Sequence, residues 1–244
     1  MGVTVAAKQG TSSYRARRAW VEEYFDRTAA GAWARLTSDA PVGRVRASVR
    51  AGRERMRGTL TGWLPEDLGG RRVLDAGCGP GQLALELARR GATVVAVDIS
   101  RTLVDVARSR IPPGLRGSVE FVAGDMLDPA LGTFDHVVCM DSLIHYMPAD
   151  AVAALGRLAP RARRSLLFTY APRTPLLAAM HAIGQLFPRG NRSPAIEPVS
   201  ARELHERIGA EPRLQPWQLG RTERVRGGFY TSHGVELVRA GGPR

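Results

Sequence analysis

The run Val73-Leu74-Asp75-Ala76-Gly77-Cys78-Gly79-Pro80-Gly81-Gln82-Leu83 constrains this chain more than any other stretch. An aliphatic run ends at Asp75, three glycines follow at alternate positions, and a helical pattern starts at once. This reads as a strand, a tight turn and a helix N-terminus, the place where an α/β fold holds a nucleotide-like ligand. Gly77, Gly79 and Gly81 permit positive φ and let a ligand approach without meeting a Cβ. The spacing is G-x-G-x-G, not the G-x-G-x-x-G of dinucleotide sites.

The segments that follow alternate strand and helix, which is the pattern of an α/β domain. Strands are expected at Arg72–Asp75, Thr93–Val97, Val119–Val122, Asp135–Met140 and Ser165–Tyr170. Helices are expected near 81–90, from Ser100 to Arg110, and over 149–159. Pro175 starts an apolar helix to Phe187, and Ser200 with Glu203 forms a capping box for a helix to Ile208. The chain then offers two strands, Arg226–Tyr230 and Val235–Arg239, suited to an antiparallel hairpin. Upstream, residues 13–64 read as helices. The apolar stripe Val45, Val49, Met56, Leu60 is backed by Arg44, Arg46, Arg50, Arg53, Arg55 and Arg57, a face expected to be solvated. The division is therefore a disordered tail at 1–12, a helical lid at 13–64 and an α/β domain at 65–244 with an insertion near 173–198.

A formal charge of +12 invites a nucleic-acid partner. Yet Lys8 is the only lysine and the arginines are spread along the whole chain, so no nucleic acid is expected. A basic nucleic-acid-binding module stays as the alternative of another class, and membrane contact by the arginine face as a sharper use of the charge. Cys78 and Cys139 are too few for a disulfide framework, and no signal peptide is recognisable, so a reduced cytoplasmic protein is expected. His136, His145 and His181 lack ligand spacing, and no metal site is expected.

Three strand ends carry an acid: Asp75, Asp98 followed by Ile99, and Asp125 followed by Met126. A carboxylate at Asp98 can accept the hydroxyls of an unphosphorylated ribose. One at Asp125 can accept an adenine amine while Met126 packs on the ring. Near a pyrophosphate Asp75 would be repulsive, whereas near an ammonium it is favourable. With Cys78 in the glycine loop, this set resembles the S-adenosylmethionine (SAM) loop of class I methyltransferases. The resemblance implies a Rossmann-like fold with a seven-stranded, mostly parallel sheet and an antiparallel last strand. Met140 and Asp141 then face the cofactor, with His145 beside the transfer site as an orienting donor or acid–base group.

The flanking segments are more specific. Glu23-Tyr24-Phe25-Asp26-Arg27-Thr28, Met140-Asp141-Ser142-Leu143-Ile144, Leu186-Phe187-Pro188-Arg189, Asn191-Arg192-Ser193-Pro194 and Arg226-Gly227-Gly228-Phe229-Tyr230 are similar to magnesium-protoporphyrin IX O-methyltransferases. The resemblance covers nearly the whole chain from about residue 20. The family pattern has Arg-Gly-Phe-Tyr where this chain has Arg226-Gly227-Gly228-Phe229-Tyr230, so a one-residue bulge is expected there. The resemblance implies methylation of one propionate of Mg-protoporphyrin IX in bacteriochlorophyll synthesis, with magnesium present only as part of the substrate. A methyltransferase of another small carboxylic acid is the runner-up. It further implies Tyr24 in a mobile lid facing the cofactor and His145 orienting the reacting propionate. Arg192 would hold the other propionate, with Asn191, Tyr146 and Phe187 near the substrate. A handover partner, the magnesium chelatase large subunit, and peripheral contact with the photosynthetic membrane complete what is implied.

Overall fold

The computed structural model describes residues 12–29, 43–173 and 196–241. Seven strands form one sheet: β1 (Arg72–Ala76), β2 (Thr93–Asp98), β3 (Ser118–Ala123), β4 (Phe134–Cys139), β5 (Ala162–Tyr170), β6 (Trp217–Gly227) and β7 (Tyr230–Arg239). Their order is β3-β2-β1-β4-β5-β7-β6. Strands β1 to β5 pair in parallel, and β7 runs antiparallel to both β5 and β6. The carboxyl ends of β1 to β5 therefore share one edge of the sheet. That edge, where the order reverses direction beside β1, is where such sheets receive ligands.

Alternation along the strands sends side chains into two cores. One face buries Leu74, Val95, Val137, Leu166 and Phe168 under α5 (Pro148–Leu158) and α6 (Ala201–Ala210). The other buries Val73, Val94, Ala96, Val138 and Leu167 under α2 (Arg44–Gly62), α3 (Gln82–Arg89) and α4 (Arg101–Arg108). Ser200 caps α6 as its sequence suggests, accepting from the Glu203 amide at 3.2 Å.

Two expectations are corrected by the structure. Residues 13–64 are not one cover. Met56 and Leu60 of α2 are fully buried against the sheet, so α2 belongs to the core layer. Among the described residues of this stretch, α1 (Ser12–Glu23) and the π-helical turn Tyr24–Ala29 are the elements over the strand ends. The hairpin is also displaced. Gly227 pairs with Tyr230, which makes Gly228-Phe229 a two-residue turn rather than strand, and β6 reaches back to Trp217. Gly228, at φ +55, takes the left-handed position this turn requires, so the extra glycine makes the turn and not a bulge. The irregularity in this pair sits instead between Leu219 and Thr222. The apolar helix expected at 175–187 falls outside the described residues, as do residues 1–11.

Candidate active site

The glycine turn is pinned before it meets any ligand. Gly77 and Cys78 donate their amides to the Val97 carbonyl at 2.8 and 3.0 Å, which ties the turn to β2. Gly77 (φ +86) and Gly81 (φ +82) are needed for close packing. A Cβ would sit 2.2 Å from Ser142 at the first and 2.7 Å from the Phe121 ring at the second. Gly79 (φ +50) differs, because a Cβ there would meet nothing. Two glycines thus shape the turn and the middle one opens it.

Asp75 lies beneath this turn, 1% exposed, and its Oδ2 has no hydrogen-bond partner among the described residues. Burial and the Asp98 charge push its pKa up to about 7, against the opposing pull of the Ala84 amide and Arg53. Asp98 accepts from the Gly79 amide at 2.7 Å and the Ser100 amide at 2.9 Å, and burial raises its pKa too. Asp125 accepts from the Leu127 amide at 2.9 Å, the Tyr14 hydroxyl at 3.0 Å and Arg18 at 3.0 Å. Burial drives the Cys78 thiol well above its ordinary range, which disfavours the thiolate.

Asp98, Ile99, Asp125, Met126, Met140, Asp141, His145 and Tyr146 come together around one crevice of roughly 720 Å³. Asp75 and Cys78 line an adjoining recess, which shares Arg53, Gly77, Pro80 and Met140 with the crevice. Carboxylates so placed can accept an exocyclic amine, a ribose diol and an ammonium group. Arg53 and Arg57 in the same recess supply the opposite charge.

Asp141 is the hub at the end of β4. It alone among the described non-glycine residues has positive φ, at 52°, in the left-handed region that Asp tolerates. Its carboxylate holds Arg53 at 2.7 Å, accepts from Tyr230 at 3.1 Å and is bonded to Thr169 and Ser232. Asp141 thus lines the crevice and frames it as well, presenting Arg53 beside it. This corrects the solvated arginine face in part: Arg53 and Arg57 are half-buried and pair with Asp141 and Glu86, while Arg44, Arg46 and Arg55 are exposed.

His145 sits in the crevice wall with its ring edge-on to Phe25, centroids 5.8 Å apart. Arg17 bonds to its carbonyl and to Glu197. Tyr146 stacks on Tyr14 at 4.8 Å. Tyr24 is not among the lining residues. It is half-buried, stacks on Trp20 at 5.8 Å and meets Phe25 edge-on, and Tyr14 and Phe25 line the crevice wall. Asn191, Arg192 and Phe187 lie outside the described residues. Tyr14, Arg18, Arg53 and Tyr230 are contacts that sequence reasoning missed.

Comparison with known proteins follows the same outline. The description "Magnesium-protoporphyrin IX methyltransferase C-terminus" matches residues 139–239, and "Methyltransferase domain" matches residues 73–164. The magnesium-protoporphyrin O-methyltransferase of Rhodobacter capsulatus is 50% identical over 226 residues, 92% of this chain and 98% of that protein. The chain belongs to the magnesium-protoporphyrin O-methyltransferase family. A further member from Synechocystis sp. is 32% identical over 90% of this chain and 95% of its own length. The crystal structure of the Synechocystis PCC 6803 magnesium protoporphyrin IX methyltransferase with bound SAH superposes with a TM-score of 0.80. It has 31% identity, covering 91% of this chain and 99% of that one. The fold of the family, a Rossmann-like methyltransferase sheet closed by antiparallel strands, is the fold seen here.

Proposed function

We propose that this protein transfers a methyl group from SAM to a propionate carboxylate of Mg-protoporphyrin IX, giving the monomethyl ester and S-adenosylhomocysteine. One observation carries the reading. Half of the residues are shared with the R. capsulatus enzyme over nearly its full length, around a crevice whose acids match this cofactor.

The residues present fit SAM. Asp75, with its orphaned buried oxygen, suits an ammonium, and Arg53 beside it suits the carboxylate of the same amino-acid end. Asp98 suits the ribose hydroxyls, and Asp125 with Met126 suits the adenine. When bound, SAM supplies an electrophilic methyl group. The acceptor needs no base, since a propionate with a pKa of about 4.3 is ionised at pH 7. Alignment and exclusion of water carry the rate, worth about 7–11 kcal/mol in well-oriented systems. His145 orients the acceptor from the crevice wall, and Tyr146 forms part of the floor. The α1 helix and the turn holding Tyr24 act as a lid that must open for exchange.

Outside the described residues, Arg192, Asn191 and Phe187 belong to the porphyrin side of this reading. So do delivery by the magnesium chelatase large subunit and peripheral membrane contact through exposed Arg44, Val45 and Arg46. Mass spectrometry of Mg-protoporphyrin IX incubated with SAM and the protein should show a gain of one methyl. Binding of SAM without any such product would sink the proposal.

A further inference from the structure

The substrate in this reading carries two carboxylates, and only one reacts. A second carboxylate drawn into a largely apolar site is costly unless a cation meets it. Among the described residues, Arg224, in β6, stands without a counter-ion. Arg17, Arg18 and Arg53 at the crevice each pair with an acid, and in β6 itself Arg221 pairs with Glu236 at 2.7 Å. Arg224 does not. Its buried Nε has no partner, and among the described residues its side chain makes no hydrogen bond or ion pair.

Arg224 belongs to a row across three strands. Tyr170 of β5 is in register with His233 of β7, and His233 with Arg224 of β6. The Tyr170 hydroxyl bonds to His233 Nδ1 at 3.0 Å, and the two rings stack at 5.0 Å and 17°. Burial and the Arg224 charge hold His233 below its ordinary pKa, which favours the neutral ring. With the Tyr170 hydroxyl donating to Nδ1, the neutral ring would carry its proton on Nε2. Glu223 acts on His233 at longer range but forms no ion pair with Arg224.

The row lies at the carboxyl edge of the sheet, the edge that also bears the crevice. Tyr170 ends β5 one residue beyond Thr169, whose hydroxyl accepts from the Asp141 amide at 2.7 Å. Between crevice and row runs an apolar recess that shares Tyr146 with the crevice and is walled by Phe168 and Tyr170. From β4 to β6 are three strand spacings, about 14 Å, a span that suits a flat macrocycle with carboxylates on one edge.

We infer that Arg224, flanked by His233 and Tyr170, is the anchor for the non-reacting carboxylate of the porphyrin. The inference rests on the substrate proposed above. An arginine fork grips a carboxylate through two parallel hydrogen bonds, and this would fix which propionate reaches the methyl group.

The test pairs Mg-protoporphyrin IX with a Mg-porphyrin in which one propionate is replaced by ethyl. Equilibrium binding is read from the porphyrin absorbance with S-adenosylhomocysteine present, and turnover with SAM. Wild type should bind the dicarboxylate about 10- to 100-fold more tightly than the monocarboxylate. Arg224→Ala should lose that preference, and Arg224→Lys should keep part of it, with affinity for S-adenosylhomocysteine and melting temperature unchanged in both. Undiminished preference in Arg224→Ala overturns the inference, as does its loss in Arg192→Ala alone. Should Arg224→Ala also lose cofactor affinity and melting temperature, with Arg224→Lys indistinguishable from wild type, the residue is structural and the inference also fails. Porphyrin binding that depends on Arg224 without methyl transfer would refute the proposed reaction and leave the anchor standing. Failure of wild type to bind any porphyrin refutes both.

Discussion

A carboxyl group sealed under a turn, as Asp75 is, has little reason to ionise until a cation arrives. Its pKa of about 7 stands above the ordinary 3.8, so the ligand-free fold prefers the protonated form. The stability this group contributes is fully present below pH 3.8 and is lost as pH rises to about 7. Cofactor binding has the opposite sign, because the ammonium rewards the ionised form. Affinity for S-adenosylhomocysteine, measured by calorimetry, should strengthen as pH rises through about 7, and Asp75→Asn should flatten the profile. Asp98, also raised by burial, can add a slope of the same sign, which the Asn variant keeps. Asp141 makes the complementary case. Asp141→Ala strands Arg53 and puts an alanine at φ 52°, and should cost roughly 3–5 kcal/mol in urea unfolding. Asn, which tolerates that backbone, should cost less. The acids at the strand ends were legible because position along a strand says where a side chain goes. Arg53, Tyr14 and Arg18 were not, since nothing in an arginine-rich helix says which arginine faces inward.

Helix α2 shows how context decides the sign of a single substitution. A Cβ on Gly52 would lie 2.4 Å from the Tyr230 ring, whereas one on Gly58 would meet nothing. Gly58→Ala should therefore stabilise by about 0.5–1 kcal/mol through helix propensity. Gly52→Ala should destabilise by about 1–3 kcal/mol through overpacking. It should also slow turnover, because Tyr230 bonds to Asp141. Thermal melts of the two variants check both signs together. Strands β1 to β5 were legible from their apolar runs and glycine stops. Most of β6 was not, because it is an edge strand: from Gln218 to Glu223 its side chains are exposed, so alternation leaves no apolar face to find. The hairpin was displaced for a related reason, as Phe229 looks like strand but lies 51% exposed at the turn.

At the scale of the whole molecule, α1 and the turn after it are fastened by polar contacts to three strand ends. Asp26 accepts from Ser100 at 2.6 Å beyond β2, Tyr14 and Arg18 reach Asp125 beyond β3, and Arg17 bonds to the His145 carbonyl beyond β4. Charged fastenings weaken with salt. Trypsin cleavage within the arginine-rich α1 should thus be faster at high than at low ionic strength, and slower when S-adenosylhomocysteine fills the crevice. Equal cleavage with and without ligand would show that α1 is not a lid. The sheet's order was not readable from periodicity alone, which counts strands without saying which are neighbours; the antiparallel closing hairpin was legible as two adjacent runs, and resemblance supplied the seven-stranded frame. That ending bears on biosynthesis. Translation makes β7 last of the seven strands, yet it lies between β5 and β6 and supplies the Tyr230 and Ser232 that hold Asp141. While β7 is still inside the ribosome, the growing chain has neither a closed sheet nor a framed Arg53. A nascent chain arrested before Tyr230 should therefore show no affinity for the ligand.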